Sequence, residues 1–415
     1  MTTQANTTKQ PAPGEFYSMP GANQFFSAID SIDQVVVTGS QTNEVVASSS
    51  FLPLDADNVT FGYTLETDIT QDVTLSTGSA TASAYYPYNY LQDISLSFQA
   101  KNKPIDVASG VDLYIMDLIR PQLNRNVKTN GAVFAFDNTS AINSAADNLL
   151  SPFEYGDTAD TETSIYLEYK LPVSIYIDDY FDLALDGTWQ GSSPIPAVVS
   201  PQYMGGTNKN VSLNAKLATG SSSSLDHSPF TLTSPASMTF SANFTLRRRA
   251  VYSQNNPAVM PPIYNWQYKR FTTQVAINGS KLDIPLNNTA GQILSFYIRG
   301  FDPNTNAPIP NSDISEVTLQ LGSAIALFQG SPRALQSKFI SEHGYLLPPG
   351  VLAYDFAMDI DGSGRITNAN ALNTLTEASP TCELKFGTQP GSGAYYVIGY
   401  EMLVPVFAGG TVVGA

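Results

Sequence analysis

Apolar and polar positions alternate along most of this chain. Val59, Phe61, Tyr63 and Leu65 are separated by Thr60, Gly62 and Thr64, and Ile94, Leu96 and Phe98 by Ser95 and Ser97. Ile165, Leu167, Tyr169, Leu171, Val173, Ile175 and Ile177 keep one parity, as do Met238, Phe240, Ala242, Phe244 and Leu246. The pattern returns at Leu282–Ile284–Leu286, at Leu294–Phe296–Ile298, at Val317–Leu319–Leu321 and at Tyr396–Ile398–Tyr400–Met402. A period of two places successive side chains on opposite faces, so each run predicts a strand with one face buried and one wetted. Turn clusters separate the runs at short intervals, as sandwiches and barrels require. The fold class is all-β.

Helical spacing is rare. Residues 139–150 set Ile142, Ala145, Ala146 and Leu149 on one face. Residues 331–340 open with Ser331 and Pro332, a cap and a favoured first-turn residue, and place Leu335 and Phe339 one turn apart. One break divides the chain. The run ending at Leu246–Arg249 is followed by Asn255-Asn256-Pro257 and Pro261-Pro262, and proline cannot donate to a ladder. The expected organisation is an arm and lead-in at 1–45, a first domain at 46–250, a linker at 251–262, a second domain at 263–406 and a tail at 407–415.

Composition narrows the function. Only 13% of the 415 residues are charged, which leaves little for the polar face of surface helices. The net charge of −16 opposes direct nucleic-acid binding, which needs clustered Lys and Arg. The single cysteine, Cys382, excludes an intramolecular disulfide and reads as a small buried hydrophobe. Residues 1–14 lack the apolar core of a signal peptide, and no run approaches the roughly 18 apolar residues of a membrane span. The expectation is synthesis in a cytoplasm.

From Gln292 to Phe356 the second half resembles the second barrel of the double jelly-roll major capsid proteins. The resemblance is carried by ILSFYIRGFDP (293–303), DISEVTLQLGSAIALFQGSP (313–332) and KFISEHGYLLPPGVLAYDFAMD (338–359). Within it LPPGVLAYDF, followed by GRIT and ELKF (383–386), is the most specific piece, and YYVIGYEMLVPV (395–406) is similar to the family's last strand. The first half is similar to the first barrel through YYPYNYLQDISLSFQ (85–99), GVDLYIMDLI (110–119), YLEYKLPVSIYIDDYFDLALDG (166–187), Pro201-Gln202 and VSLNAKL (211–217). The nearest resemblance is to tailless icosahedral bacterial viruses with an internal membrane, and it covers residues 50–406. The long Ser/Gly-rich loops at 185–236 depart from the pattern. The resemblance implies two tandem eight-stranded jelly-roll barrels with a few short helices. It also implies a homotrimer of pseudo-hexagonal outline tiling an icosahedral shell over lipid, with penton and minor capsid proteins as partners.

Several motifs carry a sharper alternative. Asp359-Ile360-Asp361-Gly362-Ser363-Gly364-Arg365-Ile366 matches the first eight positions of a calcium loop, but Asn370 stands where a bidentate carboxylate belongs. It reads as a glycine turn, with Asp359, Asp361 and Ser363 as an oxygen-rich cation site in the alternative. Arg247-Arg248-Arg249 either meets acids on a neighbouring barrel or subunit or contacts phosphate. Asp178, Asp179, Asp182 and Asp186 read as a solvated loop or an intersubunit contact rather than a glycosidase pair. His227 and His343 read as surface or turn residues, too few for a metal site. Tyr85 to Tyr90 is either an exposed aromatic contact between copies or a core corner. Phe25, Phe26 and Ile29 share one helical face and suggest a short amphipathic segment at the barrel base, touching lipid or a neighbour. The tail from Val404 reads as an extended strand along another chain. No catalytic residue, cofactor or metal ligand is assigned. The expected function is that of a major capsid protein in the virion. A minor capsid or spike protein, or a carbohydrate-binding or carbohydrate-active β-sandwich, is the alternative.

Overall fold

The computed structural model describes residues 26–40, 45–53, 58–74, 79–82, 85, 88, 91–98, 102–119, 162–172, 210–217, 230–233, 237–252, 264–274, 279–286, 291–302, 307–322, 325–344, 346–357, 371–374 and 380–405. These residues are mostly strand, with two α-helices. Up to residue 252 the order is β1 (Phe26–Ser40), β2 (Val45–Pro53), β3 (Asn58–Thr74), β4 (Ser79–Ala82), β5 (Leu91–Phe98) and β6 (Asn102–Ala108). Helix α1 (Gly110–Ile119) follows, then β7 (Glu162–Pro172), β8 (Asn210–Leu217), β9 (Phe230–Thr233) and β10 (Ser237–Tyr252). One sheet runs β1-β10-β3-β7; β4 and β9 pair separately.

From residue 264 the order is β11 (Tyr264–Gln274), β12 (Lys281–Pro285), β13 (Gln292–Asp302), β14 (Ala307–Pro308), β15 (Ile314–Leu321) and β16 (Ile325–Gly330). Helix α2 (Pro332–His343), β17 (Val351–Asp355), β18 (Leu372–Asn373), β19 (Pro380–Phe386) and β20 (Tyr395–Pro405) complete it. One sheet runs β12-β19-β15-β16. A second runs β14-β13-β20-β11-β6-β5-β8-β2, with β17 and β18 also paired to β13. This sheet crosses between the two halves at one parallel bridge, Tyr268 to Ile105.

The second half is a two-layer sandwich whose layers differ in character. The outer sheet alternates as the sequence predicts: in β12, Leu282 and Ile284 point inward while Lys281, Asp283 and Pro285 are exposed. Lys281 bridges Asp283 and Glu383, and Lys385 bridges Glu316, so the wet face carries a ladder of opposite charges. The inner layer does not alternate. Every residue of β13 from Ile293 to Phe301 is buried, and residues 396–404 of β20 are buried too. Its even-numbered face (Phe296, Ile298; Tyr396, Ile398, Tyr400, Met402) joins the apolar core with Leu335, Cys382 and Leu384. Each large side chain removed from water there contributes roughly 1.5–3 kcal/mol. The odd-numbered face (Ser295, Tyr297, Arg299; Val397, Gly399, Glu401) was expected to be wetted and is instead buried. The first half covers it.

One helix is not marked by the alternation, and two further expectations change. Residues 110–119 form a helix, and α1 is buried everywhere except Tyr114. Apolar residues on all sides are what such a helix requires. Phe26 and Ile29 lie in strand β1, not on an amphipathic helix, because β10 supplies a paired edge from Phe26–Tyr252 to Ser40–Thr239. That strand falls inside the stretch read as arm and lead-in. Arg247–Arg249 stand inside β10, which runs on to Tyr252, rather than at a strand end. The expected helix at residues 331–340 is present as α2. Ser331 Oγ accepts from the Ala334 amide and Gly344 closes the other end at φ +76°. Residues 139–150 lie outside the described residues.

Candidate functional site at the junction of the two halves

The most elaborate arrangement of polar side chains lies where α1 meets β11 and β13. Ser109 caps α1, its Oγ accepting from the Asp112 amide at 3.1 Å. Asp112 answers, Oδ2 accepting from the Ser109 amide at 2.9 Å. This reciprocal capping box fixes the carboxylate at the helix entrance. Asp112 is fully buried, and two arginines of the second half reach it. Arg299 donates through Nε at 3.0 Å and Nη2 at 2.8 Å to Oδ1. Arg270 donates through Nη1 at 2.8 Å to Oδ2, and its Nη2 lies 3.2 Å from Asp93. Asp93, in β5, is half-exposed with φ +48°, a conformation aspartate tolerates better than most residues. Two acids from the first half thus balance two arginines from the second.

Tyrosines complete the network. The Tyr297 hydroxyl lies 2.6 Å from that of Tyr268 and helps to lower the Asp112 pKa. The Tyr297 ring lies against Gly399, its register partner on β20, where an added Cβ would fall 2.4 Å from the ring. Burial, together with the Asp112 charge, pushes both phenols well above their ordinary range, so they stay protonated. For Asp112 burial alone would raise the pKa. The Arg299 and Arg270 charges, with the hydrogen bonds from Tyr297 and Ser109, outweigh it and hold the carboxyl well below the ordinary range.

Tyr85 adds a second tie. It is buried, a core corner rather than an exposed contact between copies, and its hydroxyl donates to the Pro349 carbonyl at 3.1 Å. The Arg299 guanidinium stands 5.9 Å from its ring centre. Pro349 belongs to a turn closed by Val351 N–H to Pro348 O at 3.1 Å, with Gly350 at φ +74°. Proline then glycine at the two central positions gives a type II turn. Tyr88 packs its ring 4.4 Å from that of Tyr114.

None of the other described motif residues lies at the junction. His343, expected at the surface or in a turn, is buried: its ring stacks 4.2 Å from Phe339, one turn earlier, and Nε2 lies 3.3 Å from Asp355 Oδ2. The last turn of α2 packs on β17, and that contact buries it. Cys382 sits in the apolar core, and burial pushes its thiol up to about 12. The Asp359–Ile366 loop, Asp178, Asp179, Asp182, Asp186, His227 and the segments at 1–25 and 406–415 lie outside the described residues. Among the described residues no three of His, Cys, Asp or Glu are grouped to hold a metal, and no helix is long and apolar enough to cross a membrane. The sequence did hold a signal for the junction: Ser109-x-x-Asp112 before an apolar run is a capping-box pattern.

The chain, mostly strand in its described residues, is similar in fold to double jelly-roll major capsid proteins. The STIV MCP matches with a TM-score of 0.52 at 12% identity, over 89% of this chain and 96% of that one. PBCV-1 VP54, fitted into a reconstruction of the virophage Sputnik, matches with a TM-score of 0.54 at 13% identity, over 94% and 97%. No family model matches the sequence, and no curated protein does.

Proposed function

We propose that the chain is a major capsid protein, made in a host cytoplasm and carried in the virion, with a structural rather than catalytic role. The observation that carries this reading is a strand order that occurs twice. In the first half the strands run β1-β10-β3-β7 and β2-β8-β5-β6; in the second β11-β20-β13-β17 and β12-β19-β15-β16 repeat that order. We read each set of eight strands as one jelly roll, with its first and last strands adjacent. The proposed domains are an arm and lead-in at 1–45, one barrel at 46–250, a linker at 251–262, the other barrel at 263–406 and a tail at 407–415, with β1 of the lead-in and the last two residues of β10 joining the first barrel's sheet. The matches to capsid proteins over nearly the whole of both chains support it.

Two similar lobes per chain make six in a trimer, which gives the pseudo-hexagonal outline that tiles an icosahedral facet. Burial of apolar surface between copies drives association. Penton and minor capsid proteins, and membrane lipid beneath the base, are the further partners, and the net charge of −16 keeps the shell off the genome. The test is native mass spectrometry with negative-stain imaging of the purified chain. A species at three times 44.6 kDa that images as hexagonal discs is expected. Monomer alone at micromolar concentration and physiological salt overturns the reading.

A further inference from the structure

We propose that the first half of the chain sets the seat of α2 in the second: Tyr85 and Asp112 together fix the entry of β17, the strand on which α2 packs, and so make the order of that helix depend on the joining of the halves. Residues 346–350 lead from α2 into β17 and read Leu346-Leu347-Pro348-Pro349-Gly350. This sequence is stiff. Each proline fixes its own φ, and Pro348 also confines Leu347 to extended backbone. Leu347 and Pro348 are buried, so the segment lies against the fold instead of looping into water. A displacement at its β17 end is therefore carried toward α2.

That end sits in a slot whose walls come from both halves. An added Cβ at Gly350 would fall 2.8 Å from Pro308 Cβ, 3.0 Å from the Ile309 carbonyl oxygen and 3.6 Å from the Tyr85 hydroxyl. Pro308 and Ile309 belong to the second half. Tyr85 belongs to the first, and its hydroxyl donates to the carbonyl of Pro349, one residue earlier. One residue later, Val351 pairs in register with Arg299 of β13, and Asp112 holds that guanidinium through Nε and Nη2. The first half thus grips consecutive steps of the chain, once through the turn and once through the neighbouring strand. The second half adds its own ties, from the Asn311 amide to the Val351 carbonyl at 3.2 Å and from the Gly300 N–H to the Gly350 carbonyl at 3.4 Å.

Helix α2 leans on the strand that is gripped in this way. It packs on β17, Leu335 shares an apolar core with Leu352, and His343 in its last turn has Nε2 3.3 Å from Asp355 Oδ2. A helix of 12 residues has little stability of its own in water. Only one stripe of it, Pro332, Leu335, Phe339 and His343, is buried. Its order therefore comes from its seat, and a loosened β17 entry loosens the helix. Tyr85 acts here as a positioning residue, through Pro349.

Hydrogen exchange of the full chain, read peptide by peptide by mass spectrometry, tests this. Tyr85→Phe keeps the ring beside Arg299 and removes only the hydroxyl that meets Pro349. Peptides covering α2 and residues 346–355 should exchange roughly 3- to 10-fold faster than in wild type, the factor that follows from losing one hydrogen bond. Peptides of β12, β15 and β19 should keep their rates. Gly350→Ala, which fills the slot with Tyr85 still in place, should give the same pattern. An α2 whose exchange Tyr85→Phe leaves at the wild-type rate overturns the inference, whatever Gly350→Ala does, because the second half then seats its own helix. A rise shared equally by β12, β15 and β19 also overturns it, because the hydroxyl then supports the half as a whole and not this helix.

Discussion

Asp112 shows how much one side chain can decide. A carboxylate taken wholly out of water is costly unless its charge and lone pairs are met, and here Arg270, Arg299, Tyr297 and the Ser109 amide meet them. Removing the charge strands two arginines, one of them fully buried. Asp112→Asn is expected to lower stability by roughly 3–5 kcal/mol in urea melts at neutral pH. The sign with pH follows from the lowered pKa. The carboxylate's contribution is complete above the ordinary aspartate value of about 3.9 and is lost as pH falls through that range toward the lower folded value. Wild-type melts should show this acid-side loss; those of the Asn variant should lack it. Equal slopes in the two proteins would mean that the arginines do not hold the charge.

The two helices separate propensity from packing. Both begin with serine, and capping by serine stabilises a helix by about 1 kcal/mol. Ser331 caps an exposed turn, and its loss should cost about that. Ser109 caps a buried one, so Ser109→Ala also strips the Asp112 amide of a partner where water cannot replace it, adding about 1–3 kcal/mol. Thermal melts of the two variants should therefore differ, with Ser109→Ala the less stable. Strands β13 and β20 make the same point for sheets. Tyr297 lies over Gly399 and Tyr396 over Gly300, so each glycine lets an aromatic ring cross the neighbouring strand on its own face.

At the scale of the molecule, among the described residues a backbone bridge and a polar junction tie the halves together. That junction makes the halves interdependent, because the Arg270–Arg299 face is uncompensated without α1. Hydrogen exchange read over a denaturant series should give one midpoint for peptides from β3, β10, β13 and β20. In Asp112→Asn the peptides of β13 and β20 should open at lower denaturant than those of β3 and β10. Two midpoints in the wild type would show halves that fold independently.

Much of this was legible beforehand. The alternation at Val59–Leu65, Ile94–Phe98, Met238–Leu246 and Tyr396–Met402 marked β3, β5, β10 and β20, because a period of two is written into any strand with one apolar face. Ser331-Pro332 marked α2 for the same local reason. The serine and arginine of β13 looked wet because polarity along a strand reports only that a side chain needs a partner, not whether water or another residue supplies it. The sequence by itself determined the all-β character and the resemblance to capsid proteins. Only the tertiary structure decided that Asp112 meets arginines 158 and 187 positions away, since ion pairing depends on distance in space, which no local pattern encodes.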